Sequence, residues 1–320
     1  MSPNLVPPYG AIARAFRSGG VVPFLGAGVN QPCRDLSPGI AKLPSGSELS
    51  LSLARLSSFP ADSDQDLADL AKVASYYVES SGRRSLREML HETFNKDYAP
   101  CMLHEYLADN PKPLLIVTTN YDDLTERAFE AKGRPYDLVV HPTDRTDIKG
   151  SVLWWKHGST FPEPNPPNSL PMTERLKTTT VIYKMHGSVV RPWFRRMAIN
   201  PLDEDKPYRD DSYVITEEDY IDFLYRMTEQ TAVPMQFMTH FSSRQFLFLG
   251  YGLRDWNLRV VLKNVNTALR IQEAIKAEEE DPSWAIQYNP SLLERKLWER
   301  RRVDIYDLDV NDFVEQLRKH

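Results

Sequence analysis

Residues 21–28 read VVPFLGAG, five apolar positions followed by a turn built on glycine. A short unbroken apolar run bounded by glycine fits a strand in the interior of a sheet rather than an amphipathic surface helix. The same plan recurs in LLIVTTN (114–120), in TVIYKMHG (180–187) and in QFLFLGYG (245–252). Each run ends in polar or glycine-rich residues: GAGVN, TTNYD, MHGS and GYGLRD.

Helical patterns lie between these runs. GAIARAFRSGG (10–20) reads as a short amphipathic helix stopped by two glycines, and DDLTERAFEAKG as a helix closed by Gly133. Thr216 stands where it would cap EEDYIDFLYRMTEQ, and PMQFMTHFSSR reads as a second short helix. The segment beginning at Asp255 reads as a long helix, followed by the strand WAIQY, the helix SLLERKLWERR, the strand VDIYDLD and a last helix. Strands alternating with helices predict an α/β, Rossmann-like fold: a mostly parallel sheet with helices on both faces. Ligands of such sheets sit at the carboxyl ends of the strands, near the switch in strand order. The four polar tips are therefore expected to converge on one crevice.

One domain is expected over 1–320, with two insertions. Residues 48–110 form a helical module. In it Leu67, Leu70, Ala71, Ala74, Tyr77 and Val78 share one face of a helix, and Ser85 with Glu88 has capping-box spacing. Residues 142–178 are rich in Pro and Thr, show no sustained periodicity, and read as an irregular insertion and candidate lid.

Composition narrows the function. The chain is 41% hydrophobic and 26% charged, ordinary for a globular protein. It has 39 basic and 44 acidic residues, a net charge of −5, which disfavours tracking along nucleic acid. The dense basic clusters, Arg295-Lys296 with Arg300–Arg302 and Arg191 with Arg195-Arg196, read as solvated faces or interface charge. No basic start followed by an apolar run opens the chain, and no apolar run approaches the ~18 residues of a membrane span; a cytoplasmic location is expected. Two cysteines, Cys33 and Cys101, cannot supply the closely paired ligands of a structural zinc site, so no metal is expected.

Taken one at a time the motifs are ambiguous. Gly26-Ala27-Gly28 suits either a phosphate cradle or a tight turn, because no third glycine or Lys-Ser/Thr completes a nucleotide fingerprint. His186 could be a satisfied core residue or a titratable ring aimed into the crevice. His157, in SVLWWKHGST, repeats the His-Gly-Ser triplet, but it runs into the Pro-rich insertion, so His186 is favoured. Asp255 reads as a helix cap, and Trp154, Trp155 and Trp193 as packing or interface residues. His91, His104 and His240 lie on predicted helices and are assigned no chemistry.

In their order, GAGVN, TTNYD, a strand ending in HG and FLGYG resemble the sirtuin family. The likeness is closest to the sirtuin-like NAD-consuming domains of bacterial antiphage defence. YVITEEDY (213–220), FLGYGLRDWNL (248–258) and the VDIYDLD ending extend it over most of the chain. The resemblance implies that Gly26, Ala27 and Gly28 meet the NAD diphosphate and that Thr118, Thr119 and Asn120 stand for the family's Thr-Gln-Asn. It implies that Asp122 orients the nicotinamide carboxamide, that His186 is the catalytic histidine, and that Gly250 and Tyr251 contact the adenosine half. Asn30 stands where the family often has serine, the family's Gly-Ile-Pro-Asp-Phe-Arg segment is not reproduced near Arg34 and Asp35, and the four-cysteine zinc module is absent.

Without that module the resemblance implies NAD hydrolysis, with NAD as substrate, rather than deacylation of proteins. Asn120 would hold the water or a ribose hydroxyl, and His186 would take its proton. The resemblance also implies a homo-oligomer, or restraint by a separately encoded partner such as a HerA-type ATPase or an argonaute-like protein. The alternatives are an NAD-dependent protein deacylase and a regulatory module that binds NAD or ADP-ribose without turnover.

Overall fold

Alternate residues of β1 (Val21–Leu25) point to opposite faces of a sheet, and both faces are buried. Val21 and Leu25 join one apolar cluster, Val22 and Phe24 another. The computed structural model that shows this describes residues 5–31, 42–143, 150–159, 162–189, 211–228, 233–251 and 282–320. Cys33, Arg34, Asp35, Arg191, Trp193, Arg195, Arg196, Asp255 and the long helix read after it lie outside the described residues.

Among those residues the helices are α1 (Tyr9–Ser18), α2 (Gly46–Ser57), α3 (Asp64–Ala68), α4 (Leu70–Ser81), α5 (Arg83–Phe94), α6 (Met102–Asp109) and α7 (Leu124–Ala131). They continue with α8 (Met172–Thr178), α9 (Glu217–Thr228), α10 (Met235–Ser242), α11 (Leu292–Glu299) and α12 (Val310–Leu317). The strands after β1 are β2 (Leu115–Thr118), β3 (Tyr136–Val140), β4 (Val152–Trp155), β5 (Glu163–Asn165), β6 (Thr180–Lys184), β7 (Gly187–Ser188), β8 (Ser212–Tyr213), β9 (Gln245–Leu249), β10 (Ser283–Gln287) and β11 (Val303–Asp307).

Nine strands form one sheet in the order β11-β10-β9-β1-β2-β6-β3-β4-β5. All neighbours from β11 to β3 run parallel; β4 and β5 add an antiparallel margin. From β1 the chain builds first to one side, through β2 and β6, and later to the other, through β9. The switch in strand order therefore falls at β1. On one face Ile116, Ile182 and Leu247 pack with Phe16 of α1, Phe129 of α7 and Phe313 of α12. On the other, Phe24, Tyr183 and Phe248 pack with Phe223 of α9, Phe237 of α10 and Trp298 of α11.

Three local expectations are corrected. Residues 64–81 form two helices, because Asp69 leaves helical geometry (ψ 92°) and caps α4 through its bond from the Lys72 N–H. Ser85 does not cap α5: the helix begins at Arg83 after Gly82, Ser85 meets the Tyr77 hydroxyl, and Glu88 pairs with Arg84. Capping boxes stand instead at Ser45–Glu48 and Ser291–Glu294. The described residues of 142–178 include regular elements. Val152–Trp155 carries an all-apolar run that pairs with β3, and α8 follows β5.

Candidate functional site at the strand tips

The tips of β1, β2 and β9 are bolted together by backbone. The Gly26 N–H donates to the Leu249 carbonyl (2.9 Å) and the Gly28 N–H to the Gly250 carbonyl (2.9 Å). The N–H of Thr119 reaches the carbonyl of Leu25 at 3.2 Å. This closeness is what demands the glycines. A Cβ on Gly26 or Gly28 would stand 2.8 or 2.7 Å from the Gly250 oxygen. At Gly250, with φ +67°, a Cβ would stand 2.3 Å from the Val29 nitrogen. The glycines are thus required by the meeting of two turns, and Ala27 is the exposed apex they present.

Asn120 extends this lattice from β2: its side-chain amide donates to the Gly26 carbonyl at 3.1 Å. Its own N–H is held by the Thr118 hydroxyl (3.0 Å), which in turn donates to the Leu25 carbonyl (3.0 Å). Thr118 is buried and its hydroxyl is committed to the backbone, so it acts as a fastener beneath the tip. The Tyr251 hydroxyl lies 3.2 Å from that of Thr119, and the Tyr251 ring covers Gly26.

Asp122 turns inward. One carboxylate oxygen accepts from the side-chain amide of Asn30 (2.7 Å), the other from the Leu124 N–H in the first turn of α7 (3.1 Å). Asn30, the departure from serine, thereby joins the glycine turn to the β2 tip, a partnership that sequence spacing alone does not reveal.

His186 lies two residues past Lys184, as Asn120 lies two past Thr118, and Thr118 and Lys184 are register partners on adjacent parallel strands. The ladder continues through the Met185 N–H to the Thr118 carbonyl (2.9 Å), and the Val189 N–H reaches the Tyr121 carbonyl (3.0 Å). The imidazole of His186 is 4% exposed and stands edge-on to Tyr220 (5.5 Å) and Phe223 (5.3 Å) of α9. Burial pulls its pKa down to about 4, so the ring is neutral at neutral pH. Among the described residues no hydrogen bond joins His186 to Asn120. The amide leans toward β1 and the imidazole toward α9.

The histidine that sequence reasoning passed over is His141, just past the end of β3, the other neighbour of β6. It is buried, edge-on to the same Phe223 ring (5.3 Å), with Nδ1 unpartnered. Burial first, then Arg226 and His186, lower its pKa to about 3. Only its place at a strand end signals it. His157 behaves otherwise. Because β4 runs antiparallel to β3, His157 emerges exposed at the amino end of the parallel strands, where its N–H meets Asp137 (2.8 Å).

Cys101 is buried and in no disulfide, its sulfur 3.2 Å from His104 Nδ1. Among the described residues no group of three or more His, Cys, Asp or Glu could hold a metal, and no helix is long and apolar enough to cross a membrane.

Residues 114–306, from the start of β2 into β11, match the model of the SIR2-like domain. The chain belongs to the SIR2-like family. The match covers the tips of β2, β6 and β9. The glycine turn after β1 precedes it, and the bonds from Gly26 and Gly28 to the tip of β9 bring that turn against the matched region. Three curated relatives are all called NAD(+) hydrolase ThsA. That of Acinetobacter baumannii (strain 532279) is 27% identical over 244 residues, 76% of this chain and 38% of the relative. That of Enterococcus faecium is 25% identical over 263 residues, 77% and 45%. The Bacillus cereus (strain MSX-D12) protein is 24% identical over 257 residues, 77% and 44%. This SIR2-like chain thus spans less than half the length of these relatives.

Proposed function

We propose that the chain is an NAD glycohydrolase that cleaves NAD to ADP-ribose and nicotinamide. The observation that carries this reading is the placement of the Asn120 amide, bonded to the Gly26 carbonyl at the switch point, one strand away from the neutral ring of His186. The names of the relatives support it.

The scissile bond joins a sugar carbon to a positively charged nicotinamide, which leaves as a neutral base. Positioning and charge stabilisation therefore suffice for catalysis. In this reading the Gly26–Gly28 turn, with Ala27 as its exposed apex, meets the NAD diphosphate, and Gly250 and Tyr251 contact the adenosine half. Asn120 holds the attacking water or a ribose hydroxyl, and His186, unprotonated at neutral pH, takes the proton released. Asp122 orients the nicotinamide carboxamide and, through its bond from Asn30, sets the glycine turn against the β2 tip.

The test is chromatography of NAD incubated with pure protein. Equimolar nicotinamide and ADP-ribose are expected, and His186→Ala or Asn120→Ala should abolish them. Release at the parent rate from either variant defeats the assignment. Dependence on an acyl-lysine peptide would select the deacylase instead. The enclosure of His186 favours a second reading, a module that binds NAD or ADP-ribose without turnover. Calorimetric binding with no product selects it.

The proposal includes a physiological role, depletion of NAD as an antiphage effector. Restraint would come from self-assembly or from a separately encoded HerA-type ATPase or argonaute-like partner. The motif resemblance supports this part, and a fully active isolated monomer would count against it.

A further inference from the structure

Lys184 closes β6 two residues before His186, and it is completely buried. Its ammonium reaches Glu126 Oε1 at 2.8 Å, Ser188 Oγ at 2.9 Å and the Tyr121 carbonyl at 3.4 Å, and it donates to the Asp122 carbonyl as well. Tyr121 and Asp122 follow Asn120 directly. Ser188 is two residues past His186. Glu126 lies in the first turn of α7, which leaves the β2 tip.

Stability alone does not account for this arrangement. Removing an ammonium and a carboxylate from water is among the most unfavourable steps in folding, and apolar residues of similar volume often replace a buried ion pair without loss. Glu126 is moreover imperfectly matched, since its Oε2 has no partner. What an apolar side chain cannot do is grip carbonyl oxygens. An ammonium offers three donors from a single point, and here they converge on two loops.

We infer that Lys184 is a positioning residue of the site. Its ammonium clamps the Asn120–Asp122 tip to the His186–Ser188 tip, with Glu126 as the counter-charge, and so sets the spacing between amide and imidazole. This rests on the NAD hydrolase reading, in which both groups must face the same sugar carbon. A small error in such spacing is costly to rate even when binding persists. The GAG turn and Gly250 do not touch Lys184, so affinity for NAD is expected to survive its loss.

The experiment uses the double variant Lys184→Met/Glu126→Leu, which removes both charges and leaves neither buried alone. Three quantities are measured: the melting temperature, amide hydrogen exchange, and steady-state NAD hydrolysis. The expected melting temperature lies within about 5 °C of the parent. Exchange rises together in 119–124 and 186–189 and stays unchanged in β10 and β11. The value of kcat falls about a hundredfold while KM is little altered. Ser188→Ala removes the bond from Lys184 and the local one to the Val189 carbonyl but no charge; it shows the same pattern in milder form and serves if the double variant does not fold.

A purely structural lysine gives a different result: a lower melting temperature, faster exchange throughout, and a parental kcat for the folded protein. That outcome, or unaltered exchange at the two tips, overturns the clamp. If the parent itself releases no nicotinamide, the hydrolase reading fails, and the clamp stands or falls on the exchange data.

Discussion

Asn120 ties the tip of β2 to the tip of β1 through a 3.1 Å hydrogen bond from its amide to the Gly26 carbonyl. The donor is what matters, since a carboxylate cannot make this bond. Asn120→Asp is therefore expected to fail as completely as Asn120→Ala. Each should lower nicotinamide release at least about a hundredfold, the scale of losing one preorganised donor. The lost hydrogen bond should cost stability about 1 kcal/mol. Product chromatography and chemical denaturation together check both halves.

Activity should follow the protonation of His186. Burial lowers its pKa from the ordinary 6.5 to about 4, so the base form prevails above that value. The expected profile of kcat/KM is flat from near neutrality down to about pH 5 and falls at lower pH with an apparent pKa near 4. A descending limb near 6.5 would show a solvated imidazole and contradict the packing against α9.

The same shift makes a prediction for stability. Between pH 4 and 6.5 the unfolded chain binds a proton at His186 that the folded chain refuses. Stability should be complete above 6.5 and drain away as pH falls through 4, by on the order of 3 kcal/mol. His141, lowered to about 3, acts in the same direction. Urea unfolding of the parent and of His186→Gln at pH 7 and pH 4.5 isolates the contribution, which should shrink in the variant.

Phe223 stands edge-on to both histidines and keeps water from them. Phe223→Leu should admit solvent beside the rings at a cost of about 1 kcal/mol in stability. Histidine titrations followed by NMR should then show His186 moving up, back toward its ordinary value. An unmoved His186 would assign its depression to other neighbours.

Three glycines separate conformational strain from collision. Gly133 (φ +60°) has open space where a side chain would sit, so Gly133→Ala should cost only about 1–2 kcal/mol. At Gly250 and Gly187 a Cβ would lie 2.3 Å from the Val29 nitrogen and 2.0 Å from the Ser212 oxygen. Alanine there should cost at least about 1–3 kcal/mol beyond the Gly133 control, measured by denaturation midpoint.

The sheet was legible because its inner strands are apolar on both faces, and the glycine and polar tips mark where those strands end. Harder to read were features that depend on partners distant in sequence. The Asn30–Asp122 bond spans 92 positions, and only the fold reveals it. Lys184 reads as a polar interruption in TVIYKMHG until α7 is seen to bring Glu126 beneath it. VLWWK is strand-like on local grounds, but the antiparallel pairing of Val152–Trp155 with β3 depends on partners that no local pattern names. His186 follows the end of β6, as its place in TVIYKMHG indicates, but its enclosure by Tyr220 and Phe223 depends on how α9 packs, which no local pattern encodes.

The margin formed by β5 has a consequence for how copies of this chain can meet. A sheet border ordinarily offers a row of free donors and acceptors to any passing strand and so invites runaway polymerisation. Here the border is three residues long, Pro164 at its centre has no N–H to offer, and Pro162, Pro166 and Pro167 flank it. That side is sealed against templated growth, which leaves encounters between molecules to other surfaces.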